Sequence, residues 1–135
     1  MIPALWTAIV VELPPLEAIR ALAEIGWPGL ELSTEHLVMV AEAPEPERLL
    51  EEVRALVDDL GVAMPQAHLL ISANVAAADD AARERDLTTV MRQIELCRRM
   101  GIEVGVIHPG GERPATLEAE RAERARRVES FARLA

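Results

Sequence analysis

The chain contains no lysine: all fourteen basic residues are arginine, a compositional habit with no functional reading attached. It has a single cysteine, Cys97, so no internal disulfide can form and a reducing cytoplasm is the expected location. No apolar run approaches the roughly 20 residues that span a bilayer. The apolar start, Met1 to Val11, lacks a basic segment and a small-residue cleavage site before Glu12, and therefore reads as a strand rather than a signal peptide. Positive charge is in deficit too, with 23 acidic against 14 basic residues and a formal charge of −9. That balance argues against a surface that tracks nucleic-acid phosphates. Neither a nucleic acid nor a membrane is expected as a partner.

What remains is the composition of a folded domain: 135 residues, half of them apolar and 27% charged, enough to bury a real core. The organising stretch is Ile102-Glu103-Val104-Gly105-Val106-Ile107-His108-Pro109-Gly110-Gly111. A β-rich run ends in a histidine and then in a turn that neither strand nor helix continues through. Gly101 closes the helical pattern before it, so the local order is helix, stop, strand, histidine, loop. This is one βα unit with a chemically useful side chain at the strand's carboxyl end, where parallel α/β folds bind ligands.

The rest of the chain repeats the unit. Ala4 to Val11 reads as the first strand, ended by Pro14-Pro15. Leu16, Ile19, Leu22, Ala23 and Ile25 recur at helical spacing, with Gly26 as the stop. Gly29 to Ser33 is a second strand, and Thr34 to Glu45 a loop in which His36 is expected to face solvent. Pro46 opens a second helix striped by Leu49, Leu50, Val53, Leu56, Val57 and Leu60 and stopped by Gly61. The third strand lies within Val62 to Leu69, with Pro65 near its start and His68 near its end. A loop from Leu70 to Ala78 carries Asn74, a turn-former with ligand contact as the alternative. Asp79 or Asp80 caps a third helix whose inward face is Leu87, Val90, Met91, Ile94, Cys97 and Met100. Thr116 caps a last helix, expected to turn Ala125, Val128, Phe131 and Leu134 inward.

The resulting architecture is α/β: a (βα)4 half of a TIM barrel, with four parallel strands and outer helices. Residues 1–135 read as a single half-barrel domain, truncated after the fourth βα unit of a fold that usually takes about 250 residues. Such a half would leave its first and fourth strands as open edges.

The stretches PPLEAIRALAEIGWPGLELSTEH and PQAHLLISANVAAADDAARERDLTTVMRQIELCRRMGIEVGVIHPGG resemble the amino-terminal half of the xylose-isomerase-like barrels. That superfamily joins sugar-phosphate isomerases and epimerases with AP endonuclease family 2. The resemblance implies a metal-dependent isomerase or epimerase of a small sugar or polyol, acting by proton transfer beside a carbonyl, in which Mn²⁺, Mg²⁺ or Zn²⁺ polarises the substrate oxygens. In the AP endonuclease branch the matching strand-end histidines, His68 and His108, are zinc ligands; in the isomerase branch they line the sugar pocket. The carboxylate ligands of the isomerase metal come from later strands, absent from this chain. A homodimer or a complementary half-barrel would then be the partner, and a non-catalytic binding module is the alternative function. AP-site cleavage by a zinc phosphodiesterase fits poorly with the acidic charge.

From the residues themselves, His68 and His108 are either structural or ligand-facing, and their parallel placement on adjacent strands favours the second. Glu31 either enters the pocket or pairs with an arginine; the first is expected, because carboxylates are rarely buried without a purpose. Trp6 and Trp27 read as packing residues, with Trp6 able to stack on a sugar face. Cys97 reads as core. The expected pocket is therefore Glu31, His68, His108, Trp6 and Asn74, with His68 and His108 as candidate metal ligands.

Overall fold

The computed structural model describes residues 2–111 and 114–135. Its elements run β1 (Leu5–Trp6), a 3-10 turn (Thr7–Val10), α1 (Pro15–Glu24), β2 (Gly29–Leu32), α2 (Thr34–Ala41), α3 (Pro46–Leu60), β3 (Ala63–His68), α4 (Asp80–Met100), β4 (Val104–Val106) and α5 (Leu117–Leu134). The four strands form one sheet in the order β1-β2-β3-β4, every neighbouring pair parallel. Two compact units result: Met1–Leu69 with Ile94–Val106, which holds the whole sheet, and Leu70–Gln93 with Ile107–Ala135.

In the first unit, α1 and α3 begin at prolines that need no N–H partner in a first helical turn. α3 ends at Gly61, whose φ of 63° is the left-handed cap that the sequence pattern anticipates. The helices bury Ala18, Ile19 and Leu22 from α1 and Leu50, Val53 and Leu56 from α3, and the sheet buries Leu30, Leu32, Met64 and Ala67. Each large side chain in that set contributes about 1.5–3 kcal/mol of apolar transfer free energy. Along β2 and β3 the residues between the buried ones, Glu31, Gln66 and His68, are only half-buried, as the alternation of a strand requires. Pro65 sits where the β2–β3 register shifts: the step from Gly29 to Glu31 faces the longer step from Ala63 to Gln66. The bulge absorbs a residue that has no N–H for the ladder.

Four expectations are corrected in this unit. The first strand is two residues long rather than Ala4 to Val11, because the chain turns after Trp6, with Val11 N–H bonding to Ala8 and Leu13 N–H to Val10. Thr34 to Ala41 is a helix, not a loop; the Ser33 side chain caps it by accepting from the His36 N–H. His36 is fully buried at 0% exposure instead of facing solvent. Its Nδ1 lies 2.8 Å from Thr7 Oγ1 and 3.2 Å from Ser33 Oγ, and its Nε2 lies 3.1 Å from the Leu13 carbonyl. Trp27, read as a packing residue, is exposed at the surface.

The second unit buries Ala73, Val75, Ala76, Leu87 and Val90. Asp79 caps α4 through a 2.6 Å bond from the Ala82 N–H, and Thr116 caps α5 through a 3.1 Å bond from Ala119. The inward face of α5 is not the apolar one. Val128 is 63% exposed while Ser130 is 1% exposed, because Ser130 Oγ donates to the Val75 carbonyl and Arg126 Nε to that of Ala76. Two backbone carbonyls that need donors outweigh a weak apolar stripe.

Replacing His36 by alanine strands the Thr7 hydroxyl and the Leu13 carbonyl in a buried site. The expected loss is on the order of 3 kcal/mol in denaturant unfolding, against about 0.5 kcal/mol or less for Met39→Ala on the exposed side of the same helix; equal effects would contradict the buried hydrogen-bond knot. Burial also pushes the Cys97 thiol up to about 11. Because the folded value is raised, any contribution of this thiol to stability is fully present below its unfolded value and is lost as pH rises toward about 11. At pH 8, iodoacetamide is therefore expected to label Cys97 only after unfolding; labelling of the native chain at the unfolded rate would refute the burial.

Candidate functional site

The sheet register builds a row of side chains before any chemistry is considered. Trp6 pairs with Glu31, Glu31 with Gln66, and Gln66 with Val104, across all four strands. His68 follows two residues after Gln66 and so stands on the same face, at the carboxyl end of β3. Glu31, Gln66, His68 and Trp6 thus converge at the strand ends, where parallel sheets place their sites.

The contacts within the row are close and polar. Glu31 Oε1 lies 2.5 Å from His68 Nδ1, and Glu31 Oε2 accepts from Gln66 Nε2 at 2.5 Å. The His68 ring centroid is 5.7 Å from that of Trp6, with the planes tilted by 49°. The side chains of His68 and Glu31 are 19% and 14% exposed, sheltered enough for a charge-assisted bond to matter and open enough for a ligand to reach them. Trp6 presents part of its indole to solvent at 37% exposure.

Helix α2 fixes the ends from which these side chains project. Thr34 Oγ1 donates at 2.9 Å to the His68 carbonyl and also contacts that of Leu69. Ser33 N–H donates to Thr7 Oγ1 at 2.9 Å, and the same Thr7 oxygen meets the His36 ring. Thr7 follows Trp6 directly, and Ser33 is two residues past Glu31. The buried His36 knot therefore ties the ends of β1 and β2 together while Thr34 ties in β3.

Of the residues singled out in the sequence, this arrangement brings Glu31, His68 and Trp6 together. Asn74 and His108 lie in the second unit. Asn74 Oδ1 accepts from the Ala76 N–H at 3.2 Å, an Asx turn, and its own N–H donates to Asp86 at 2.7 Å. Gly110, two residues after His108, has a φ of 70°, and a Cβ there would come within 2.5 Å of Asn74 Cα. The glycine lets the turn after His108 pack against the Asn74 backbone. His108 itself is exposed. Gln66 is the site residue that the sequence did not mark; only the register, Glu31 opposite Gln66, reveals it.

The donors do not by themselves make a metal site. Among the described residues no three His, Cys, Asp or Glu side chains cluster to hold a cation, and Glu31 and His68 each spend an atom on the other. A catalytic divalent ion such as zinc takes about three protein ligands, so the described residues do not fit one.

The half-barrel has close structural counterparts. It is similar to a D-psicose 3-epimerase with D-tagatose from Clostridium cellulolyticum H10, with a TM-score of 0.78 and 15% identity over 99% of this chain and 47% of that one. It is similar to a D-psicose 3-epimerase crystallised in the presence of D-fructose, with a TM-score of 0.75 and 18% identity over 100% of this chain and 47% of that one. A third counterpart, the apo form of 3-keto-D-glucoside 4-epimerase from E. coli, gives a TM-score of 0.69 and 18% identity over 97% and 50%. These identities establish a shared fold, and the chain spans about half the length of each of these proteins. No curated protein matches the sequence. The model of the xylose isomerase-like TIM barrel matches residues 19–135. With four parallel βα units that superpose on half of such barrels, the chain belongs to the xylose isomerase-like TIM-barrel family.

Proposed function

We propose that this chain carries the substrate-binding half of a sugar isomerase or epimerase site, and that its ligand is a small neutral sugar or polyol. The observation that supports the reading is the Trp6–Glu31–Gln66–His68 row at the strand ends. A half-buried carboxylate, held in place by the imidazole beside it, accepts hydrogen bonds from vicinal hydroxyls, each charge-assisted bond being worth about 1.5–3 kcal/mol. The part-exposed indole beside them offers an apolar face to the C–H side of a sugar ring. Glu31 opposes a phosphate dianion near it, so the unphosphorylated sugar is the better fit.

Binding by these groups does not move a proton beside a carbonyl. We assign that step, and any carboxylates that would hold a divalent ion, to four further βα units of a complementary half-barrel, joined at the β1 and β4 edges of the sheet. A single copy then binds sugar without turning it over, and residues 1–135 act as one half-barrel domain.

Calorimetric titration with D-fructose and with D-fructose 6-phosphate tests this reading. The neutral ketose is expected to bind at least about tenfold more tightly than its phosphate, and His68→Ala to weaken it by about tenfold or more, equivalent to 1.4 kcal/mol. Absence of ketose binding, or binding untouched by both His68→Ala and Trp6→Ala, would overturn it.

A further inference from the structure

The segment that follows Trp6 is attached mainly through polar groups. Residues 7–14 lead from β1 to α1, and Thr7 alone among them is buried, while Ile9 and Val11 are exposed. Apolar burial therefore contributes little to keeping this segment in place. Its backbone bonds, Val11 N–H to the Ala8 carbonyl and Leu13 N–H to that of Val10, are local and shape the turn without fastening it to the sheet. The ladder of β1 adds only two registered pairs, Leu5 with Leu30 and Trp6 with Glu31.

One ring supplies the fastening at both ends. His36 Nε2 lies 3.1 Å from the Leu13 carbonyl, and its Nδ1 lies 2.8 Å from Thr7 Oγ1. A carbonyl only accepts, so the Nε2–H donates to Leu13. Thr7 Oγ1 also accepts from the Ser33 N–H at 2.9 Å, which binds the same hydroxyl to the end of β2. Thr7 and His36 are both fully buried, and water cannot replace their bonds unless the site opens.

We infer that Thr7 and His36 are positioning residues for Trp6: residues 7–13 form a strap that the His36 ring pins at both ends, and the pin at Thr7 keeps the indole beside His68. Thr7 is the next residue after Trp6, so a hydroxyl fixed there fixes the backbone from which the indole projects. The ring contact with His68, tilted and 5.7 Å between centroids, leaves the indole partly exposed. An indole held by that contact alone would change rotamer on the picosecond to nanosecond scale of exposed side chains. The use of the indole rests on the sugar-binding reading, whereas its placement does not. In that reading the pin presents an ordered apolar face before the ligand arrives, which lowers the ordering cost of binding.

The chain has two tryptophans, and Trp27 is at the surface, so Trp27→Phe leaves the fluorescence of Trp6 to be read alone. In this ligand-free background, time-resolved anisotropy is expected to show Trp6 without nanosecond wobble. Thr7→Val keeps the shape of the side chain and removes the hydroxyl; it is expected to add a fast anisotropy decay and to raise acrylamide quenching of Trp6 about twofold or more. Thr7→Ser, which retains the hydroxyl, is expected to restore the native values. His36→Asn, whose amide can stand near the Nδ1 position, is expected to hold Trp6 better than His36→Gln, whose amide can stand near the Nε2 position and serves only the Leu13 end. Leu56→Ala, a truncation in the buried face of α3 that removes no bond of the strap, is expected to destabilise the chain and leave Trp6 unchanged.

Native-like quenching of Trp6 in folded Thr7→Val would overturn the inference, as would equal release by Leu56→Ala. Should Thr7→Val fail to fold, a mobile Trp6 in the Trp27→Phe chain, or release by His36→Asn as large as by His36→Gln, decides against it. No sugar is present in these measurements. Calorimetry that finds no ketose binding therefore strikes the reading of the site and leaves the pin standing, and a mobile Trp6 strikes the pin and leaves the binding result standing.

Discussion

One carboxylate on the open face of a parallel sheet sets the terms for the rest of the site. Glu31 is held in β2 by two fully buried leucines, so it can neither withdraw to solvent nor turn toward the helices. Leaving such a group half-buried without partners costs several kcal/mol, and the sheet meets the requirement from the neighbouring strand through Gln66 and His68. The pairing fixes the ring of His68, and the Trp6 ring lies tilted beside it, 5.7 Å between centroids. Chemistry at the strand ends therefore follows from burial within the strands.

The row would be of little use if the strand ends moved independently. β1 is only two residues long and contributes few ladder bonds, yet Trp6 depends on it. The compensation lies in side chains: Thr7, Ser33 and His36 form a closed hydrogen-bond knot that joins β1 to β2, and Thr34 satisfies carbonyls at the end of β3. Helix α2 is what brings these groups together. A buried network whose members are all satisfied is stiff, because losing any one of them exposes the others to an unpaired state. The sheltered Glu31–His68 bond outranks the exposed arginine–glutamate pairs on α3 and α4, such as Arg48–Glu52 and Arg98–Glu95, which solvent screens.

Much of the architecture was legible in the sequence because it is local. Gly61 and the proline at Pro46 mark the ends of α3, the Ile102–Gly111 stretch marks β4 and its turn, and the (βα)4 half-barrel follows from counting such units. Glu31, His68 and Trp6 were visible as chemically able residues near strand ends. The parts that escaped depend on partners distant in sequence. His36 is buried because Thr7, 29 residues away, receives its ring, and nothing around Glu35 and Glu42 announces that. Helix α2 carries a Ser33 cap, yet Thr34 to Glu45 reads as a loop between the second strand and the helix that Pro46 opens. Gln66 has no chemical signature alone, and the β3 bulge at Pro65 shifts the register that pairs it with Glu31. On α5 the spacing of Val128 and Phe131 suggested an inward face, whereas carbonyls of Val75 and Ala76 recruit Ser130 and Arg126 instead.

The account rests on Glu31 and His68 acting as one unit, and a double-mutant cycle measures that most directly. Denaturant unfolding of the native chain, Glu31→Ala, His68→Ala and the double variant gives the coupling free energy between the two side chains. The account predicts a favourable coupling of about 1–3 kcal/mol, with the double variant less destabilised than the sum of the single ones. Strictly additive effects would contradict it, and would mean that the two residues stand side by side on the sheet without forming the unit on which the site is built.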